Sequence, residues 1–135
     1  EGGKIQQVFF NILKNGAQAM HKAHQAGGDP PCFVLKIFLE KTAEMVRIEI
    51  IDNGPGMDEA TRGRIFEPFF TTKPAGIGTG LGLSVSYFII AENHGGTMDV
   101  TSSPGNGAAF IIRLPLDRFE IKQSDDVRPD KNKSG

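Results

Sequence analysis

The sequence predicts an α+β fold in which helices cover one face of a mostly antiparallel sheet. Apolar residues recur at three- and four-residue spacing near the N-terminus and again after residue 80, which is the period of an amphipathic helix. Between these segments, apolar and polar residues alternate, which is typical of strands with one buried face. No internal repeat is present, so the elements predict a single two-layer sandwich.

The first half of the chain predicts a helix followed by two strands. The helix runs from residue 4 to about residue 23, and a Gly-Gly-Asp-Pro-Pro segment then breaks the chain. The first strand carries an apolar row that we expect to be buried: Phe33, Leu35, Ile37 and Leu39. The second strand alternates Val46, Ile48 and Ile50 with charged residues, and we expect it to pair antiparallel with the first.

The second half predicts two helices and two strands. A short helix covers residues 57–65, and a longer apolar helix runs from about residue 81 to about residue 93. The longer helix ends at His94-Gly95-Gly96, which is a typical C-terminal signal in which His94 serves as a cap. Strands over 97–102 and 108–116 flank a Pro-Gly-Asn-Gly turn.

Length, charge and cysteine content exclude several classes of protein. The 135 residues carry 15 basic and 16 acidic side chains, so the basic surplus typical of nucleic-acid binding is absent. The single cysteine excludes an internal disulfide and a multi-cysteine zinc site, and it fits a reducing compartment. No apolar run approaches the roughly 20 residues of a membrane span. We expect one domain over residues 1–116 and a polar tail or linker over 117–135.

Asp52 stands where an alternating strand runs into glycines, and its sequence context has two interpretations. Asp-Asn-Gly after alternating apolar residues is a strong turn signal, and on spacing alone this is the favoured interpretation. The alternative is a buried carboxylate at the mouth of a pocket. An ionised carboxylate only accepts hydrogen bonds, so it selects a ligand with an exposed N–H donor, such as an adenine amino group.

A glycine-rich segment leads into the second long helix. Its alternate glycines are Gly76, Gly78, Gly80 and Gly82. A glycine-rich loop at a helix N-terminus offers free N–H groups and a positive dipole end to phosphate. The spacing fits neither the dinucleotide-binding fingerprint nor the P-loop. A flexible loop that binds nothing is the alternative.

Two asparagines share one face of the first helix. Asn11 and Asn15 are four residues apart, and asparagine is neutral to unfavourable in a helix interior. Two interpretations follow: the pair is exposed to solvent, or it lines a pocket. An amide oxygen is a suitable Mg²⁺ ligand when phosphates and waters complete the octahedron. Lys14 and Lys73 offer point charges to phosphate, although solvated surface lysines are the simpler interpretation of each alone.

Four motifs in order make the chain resemble the catalytic and ATP-binding domain of sensor histidine kinases. They are the Asn15 motif, Asp52-x-Gly54-x-Gly56, the run Phe66-Glu67-Pro68-Phe69-Phe70-Thr71-Thr72-Lys73, and Gly78-Thr79-Gly80-Leu81-Gly82-Leu83. The resemblance covers about residues 5–116 and implies the Bergerat ATP-binding sandwich. That fold has a mixed, mostly antiparallel sheet, and we expect this chain to lack the family's N-terminal strand.

The resemblance also implies a role for each matching residue. Asn15 coordinates Mg²⁺, Asp52 accepts a hydrogen bond from the adenine amino group, and Lys73 joins Asn15 as a catalytic residue. Phe66, Phe69 and Phe70 anchor a lid that is mobile without nucleotide. The full set implied for ATP binding is Asn11, Asn15, Gln18, Asp52, Gly54, Gly56, Met57, Phe69, Phe70, Thr71, Thr72, Lys73, Gly78, Thr79, Gly80, Leu81, Gly82 and Leu83.

The chain departs from the family pattern at a few positions. Gln18 stands where many relatives place a basic residue, and Gly16 follows the metal-binding Asn15 where alanine is common. The second long helix is one residue longer than in many relatives, and we expect a π-bulge to absorb the extra residue. No histidine of the chain has the context of a phosphoacceptor.

The implied function is the donation of the ATP γ-phosphate to a histidine on a separate dimerisation domain of the same kinase. A downstream response regulator is the further partner, and no nucleic acid or direct membrane contact is expected. The domain would be cytoplasmic, in a full-length protein that is membrane-anchored or soluble. The alternatives are a non-catalytic ATP-binding module, a hydrolysing ATPase of the gyrase type, and a serine kinase of the anti-sigma type. Asn11 stands where hydrolysing relatives have a general-base glutamate, which argues against hydrolysis.

Overall fold

The computed structural model describes residues 2–71 and 82–116 of the chain. Helices and strands follow the predicted order with small shifts of their ends. The elements are α1 (Gly2–Gln25), β1 (Phe33–Glu40), β2 (Met45–Asp52), α2 (Glu59–Arg64), α3 (Gly82–Phe88), a π-helical segment (Ile89–Asn93), β3 (Thr97–Ser102) and β4 (Ala108–Pro115).

The four strands form one open sheet in the order β1-β2-β4-β3, and each pairing among them is antiparallel. Helices α1 and α3 and the π-helical segment pack against one another on one face of this sheet. The core consists mainly of apolar residues of α1, of α3 with the π-helical segment, and of the central strands β2 and β4. Its most deeply buried members are Val8, Ile12, Ile50, Ile90, Phe110 and Ile112. The predicted α+β two-layer fold is therefore confirmed.

The apolar row of β1 is exposed, and the expectation that it would be buried is wrong for three of its four members. Leu35, Ile37 and Leu39 are 57%, 66% and 53% exposed, and Phe33 is half-buried. The row lies on the core side of the sheet, because Ile37 stands opposite the buried Ile48. Because α1 packs over β2, it does not reach the outer part of β1. In the described sheet β1 is an edge strand.

Two matched substitutions test this difference between neighbouring strands. We expect Ile48→Ala to cost roughly 2–5 kcal/mol of unfolding free energy, because it opens a cavity in the core. Ile37→Ala should cost less than about 1 kcal/mol, since that side chain is exposed and only strand preference is lost. Urea unfolding of both variants checks this. An equal loss at both positions would mean that the β1 row is covered in solution.

Charged side chains on the opposite face tie the edge strand to the rest of the sheet. Glu40 on β1 accepts hydrogen bonds from Arg113 Nη2 on β4 at 2.7 Å and from Arg47 Nε on β2 at 3.0 Å. Arg47 also pairs with Glu49 and lies over the ring of Phe38. The Arg113 guanidinium, followed by Arg47, keeps the pKa of Glu40 below its usual range. This network ties β1 to its neighbours although most of its apolar row is exposed.

The second long helix changes to π geometry halfway along its length. It is α-helical over Gly82–Phe88 and π-helical over Ile89–Asn93, and His94 caps its end. A π turn accommodates one extra residue without moving the flanking segments off their faces. The expected π-bulge is therefore present, and Ile89 and Ile90 both remain buried.

Candidate functional site

Asn11 joins the first helix to the start of α3. Its side-chain amide donates to the carbonyl oxygen of Gly82 and to Ser86 Oγ, both at 3.0 Å. Ser86 is fully buried and donates in turn to the same carbonyl oxygen. Asn15 lies one helical turn further along the same face of α1. The asparagine face is therefore directed towards the point where the glycine-rich segment enters α3.

Asp52 ends β2 and lies against α1. Its side chain is 8% exposed, and Oδ1 accepts a hydrogen bond from the backbone N–H of Gly54 at 2.9 Å. Its other oxygen, Oδ2, lies 3.3 Å from the position that a Cβ atom on Gly16 would occupy. The carboxylate is buried, and its local hydrogen bond is that of an Asx turn. The structure thus contains both the turn and the buried carboxylate that the sequence context indicated. Residues 53–58 after Asp52 do not form the second strand of a hairpin, since the next element is α2.

Burial dominates the electrostatics of Asp52 and makes folding stability depend on pH. Burial raises the pKa of the carboxyl group above its ordinary value, and hydrogen bonds from the Gly54 and Ala108 N–H groups oppose part of this rise. An acid with a raised pKa in the folded state stabilises the fold below its unfolded-state pKa of 3.8, and this contribution is lost as the pH rises through the folded-state pKa.

We therefore expect Asp52→Asn to remove this pH dependence. The free energy of unfolding of the wild type, minus that of the variant, should fall as the pH rises from 3.8 through the folded-state pKa. Urea unfolding at a series of pH values measures the difference. A difference that stays constant or rises with pH would contradict the burial of the carboxyl group.

The loop after Asp52 passes close to the β3–β4 turn. Gly56 has a φ of +77°, and a Cβ atom there would lie 2.0 Å from the carbonyl oxygen of Ser103. The position therefore requires glycine. The N–H of Met57 donates to Ser102 Oγ at 2.9 Å, and that hydroxyl donates to the carbonyl oxygen of Gly107 at 2.6 Å. Gly54 packs on Met20 of α1, so the loop is fixed on both sides.

The three phenylalanines of the motif at residues 66–73 have different surroundings. Phe66 packs against the core, with its ring centre 5.2 Å from that of Tyr87 and 6.2 Å from that of Phe110. Phe70 lies beneath the guanidinium of Arg64 at 4.6 Å. Phe69 is 73% exposed, and its left-handed backbone, with φ of 68°, is rare for an aromatic residue. The lid that it is expected to anchor lies outside the described residues, so this role stays a prediction.

The structure brings only part of the predicted site together. Asn11, Asn15, Asp52, Gly54 and Gly82 lie along α1 and its neighbours, as described above. Met57 is half-buried against the core, Leu83 is a buried core residue, and Gln18 and Thr71 are exposed. The remaining predicted site residues lie outside the described residues: Thr72, Lys73, Gly78, Thr79, Gly80 and Leu81.

Several contacts of the site were missed by the sequence reasoning. Ser86 and Ser102 hold parts of the site by hydrogen bonds, and Phe33 packs beside Asp52. A serine in an apolar helix signals a buried hydroxyl at Ser86, but nothing in the sequence connects it with Asn11. For Phe33, only the strand register identifies Asp52 as its neighbour.

Residues 2–71 and 82–116 contain neither a preformed metal-binding cluster nor a membrane-spanning helix. No group of three or more His, Cys, Asp or Glu side chains there could hold a metal ion. The half-buried amide of Asn15 fits a different arrangement, in which a Mg²⁺ ion arrives with nucleotide phosphates and takes one amide oxygen from the protein. Within those ranges, no helix has both the length and the apolar character needed to cross a membrane.

Sequence comparison identifies relatives of the chain. A family model described as histidine kinase-, DNA gyrase B- and HSP90-like ATPase matches residues 2–118. The chain is 39% identical over 120 residues to the two-component sensor PprA of Pseudomonas aeruginosa and 44% identical over 116 residues to sporulation kinase E of Bacillus subtilis. Each match covers 86% of this chain but only 12% and 14% of the relative, so the chain spans a small part of these proteins.

Structure comparison agrees with the sequence relatives. The catalytic domain of histidine kinase ThkA superposes with a TM-score of 0.68 at 33% identity, covering 86% of this chain and 69% of that one. Full-length ShkA in complex with AMPPNP superposes with a TM-score of 0.65 at 27% identity, covering 84% of this chain and 21% of that one. The chain belongs to the histidine kinase-, DNA gyrase B- and HSP90-like ATPase family, and it has the fold of a histidine kinase catalytic domain.

Proposed function

We propose that the chain binds Mg-ATP and donates the γ-phosphate to a histidine on a separate dimerisation domain of the same sensor kinase. The observation that carries this proposal is the position of Asp52. Its buried carboxylate lies against α1 at Gly16, directly beside the helix face that bears Asn15. The residues that we propose as base acceptor and as metal ligand therefore lie close to one helix–strand contact, which supports their use by one nucleotide.

The chemistry of Asp52 favours adenine over other bases. The N–H groups of Gly54 and Ala108 hold the carboxylate in one orientation, and an ionised carboxylate can only accept. The amino group of adenine supplies a donor, whereas guanine presents a carbonyl oxygen at the corresponding place and would be repelled. A buried, pre-oriented acceptor discriminates strongly against a base without the donor.

The asparagine face of α1 and the segment before α3 would bind the phosphates. Asn15 would hold a Mg²⁺ ion through its amide oxygen, and the bound ion would supply positive charge to the phosphates. Lys73, Gly78, Gly80 and Gly82 are the further residues that we propose to bind the phosphates, the glycines through backbone N–H groups and Lys73 through its charge. Asn11 would fix the far end of that segment through its bond to the Gly82 carbonyl.

Phosphoryl transfer needs little beyond this positioning and charge neutralisation. Because Asn11 is an amide and not a carboxylate, α1 offers no base for activating water at that place, and transfer to histidine is favoured over hydrolysis. The acceptor histidine and the response regulator belong to the rest of the signalling system. We place the domain in the cytoplasm, where ATP and a response regulator are available.

One phosphotransfer experiment distinguishes the proposed function from two alternatives. A non-catalytic ATP-binding module would bind nucleotide and transfer nothing, and a hydrolysing relative would release inorganic phosphate. The folded chain is mixed with γ-labelled ATP, Mg²⁺ and a histidine-bearing dimerisation domain from a sensor kinase. We expect an acid-labile label on the added domain and little free phosphate. Binding without transfer to any of several such domains would favour the module, and rapid release of phosphate would favour the ATPase.

A further inference from the structure

Gly16 and Phe33 meet beside the Asp52 carboxylate. A Cβ atom added to Gly16 would lie 2.9 Å from Cε1 and 3.0 Å from Cζ of Phe33, and 3.3 Å from Oδ2 of Asp52. Real Cβ atoms almost never show the first of these distances and the second is very tight, so a larger residue 16 would have to displace the tip of the ring. The ring and the carboxylate therefore converge on one point of α1.

The ring of Phe33 restricts the space that is available to a side chain at residue 16. Gly16 lies inside α1, and its φ is not in the left-handed region where glycine alone is comfortable. Glycine in a helix interior is less favourable than alanine. Glycine therefore brings no advantage to the backbone at this position. Its lack of a side chain leaves room for the ring of Phe33 to approach the helix.

The strand register directs Phe33 to the same place. Phe33 stands directly opposite Asp52 in the β1–β2 pair, and residues opposite each other point to the same face of a sheet. Phe33 is half-buried and packs against the core, whereas Leu35, Ile37 and Leu39 further along the row are mostly exposed. The part of the β1 row that α1 covers is thus the part beside Asp52.

We propose that Phe33 is a positioning residue for Asp52: its ring, seated in the space left by Gly16, keeps water from one side of the carboxylate and holds it for the amino group of an adenine base. This inference rests on the proposed function. An acceptor that is shielded from water makes a stronger hydrogen bond, because water no longer competes for it. Phe33 itself need not touch the nucleotide.

Four variants test the proposal: Phe33→Leu, Gly16→Ala, the double variant, and the control Phe38→Leu. The control makes the same change in the same strand, on the opposite face, where Phe38 lies beneath Arg47. ATP binding is measured by calorimetry across a range of pH, and the Asp52 carboxyl is titrated by NMR in the free domain. Circular dichroism checks folding, and Phe33→Met is the reserve if Phe33→Leu is unstable.

Phe33→Leu should weaken ATP binding roughly two- to tenfold at neutral pH, as expected when a hydrogen bond loses support. It should also move the acid limb of the affinity profile and the Asp52 titration to lower pH, because water reaches the carboxylate. Gly16→Ala should weaken ATP binding because the added methyl group displaces the ring of Phe33. In the double variant this effect should be smaller, since the shorter side chain of Phe33→Leu leaves room for the methyl group. Phe38→Leu should change neither measurement.

Unchanged affinity and an unchanged Asp52 titration in Phe33→Leu would overturn the proposal, as would additive effects of the two substitutions. A folded wild-type domain that binds no ATP would instead overturn the proposed function. The NMR titration still decides in that case whether Phe33 shields the carboxylate, so the two failures are distinguishable.

Discussion

Asp52→Asn should weaken ATP binding roughly ten- to hundredfold, which is the range for losing a hydrogen bond to a charged group. The carboxylate has acceptor sites for the N–H groups of Gly54 and Ala108 and for the adenine amino group. An asparagine has one acceptor oxygen for these donors, and its own NH₂ group would face the amino group of the base. Calorimetric titration with ATP measures the loss.

Folding stability separates this effect from simple damage to the domain. Burial disfavours the ionised carboxylate, so Asp52→Asn should not lower the free energy of unfolding at neutral pH by more than about 1 kcal/mol. Asp99→Asn makes the same change at an exposed position of β3 and should leave binding unaltered. Equal affinity of Asp52→Asn and the wild type would show that the carboxylate does not bind the base.

Asn15→Ala should reduce phosphoryl transfer roughly hundred- to thousandfold, the range found when one preorganised transition-state contact is removed. In the proposed mechanism the Asn15 amide oxygen would be the ligand that α1 offers to Mg²⁺, and a bound Mg²⁺ would supply positive charge next to the transferring phosphoryl group. Transfer of labelled phosphate to an added histidine-bearing domain is the readout. Binding of ATP in EDTA should change little, because the base contact does not involve Asn15.

Gln7→Ala is the matched control on the same helix. Gln7 is an exposed amide two turns before Asn15, and its removal should leave transfer unchanged. If Asn15→Ala weakened ATP binding equally with Mg²⁺ and in EDTA, the residue would support the pocket rather than the metal. If Asn15→Ala transferred phosphate as fast as the wild type, Asn15 would have no part in the site.

The strands show what the sequence pattern can and cannot predict. Alternation in β2 predicted the burial of Val46, Ile48 and Ile50 correctly, because β2 lies beneath α1. The same alternation in β1 predicted burial wrongly. A period of two identifies the residues that share a face, but the position of the covering helix depends on tertiary packing. The π turn was predictable because a surplus of one residue in a helix has few structural solutions.

The candidate site was predictable where its residues are close in sequence. Asp52 and Gly54, or Asn11 and Asn15, are related by a turn or by one helical period, and such relations are visible in a single sequence. The bond from Asn11 to Ser86 joins residues 75 positions apart, and the meeting of Gly16 with Phe33 depends on where the helix rests on the sheet. Those contacts follow from packing, and no local pattern contains them.

The most direct test of the account compares Mg-ATP with Mg-GTP in calorimetric titrations of the wild-type chain. We expect saturable one-to-one binding of ATP and at least roughly tenfold weaker binding of GTP, because guanine would place an acceptor where the Asp52 carboxylate requires a donor. The α1 face and the phosphates are the same in both titrations, so the difference isolates the carboxylate. A folded chain that binds neither nucleotide, or both equally, would contradict an adenine pocket built on Asp52.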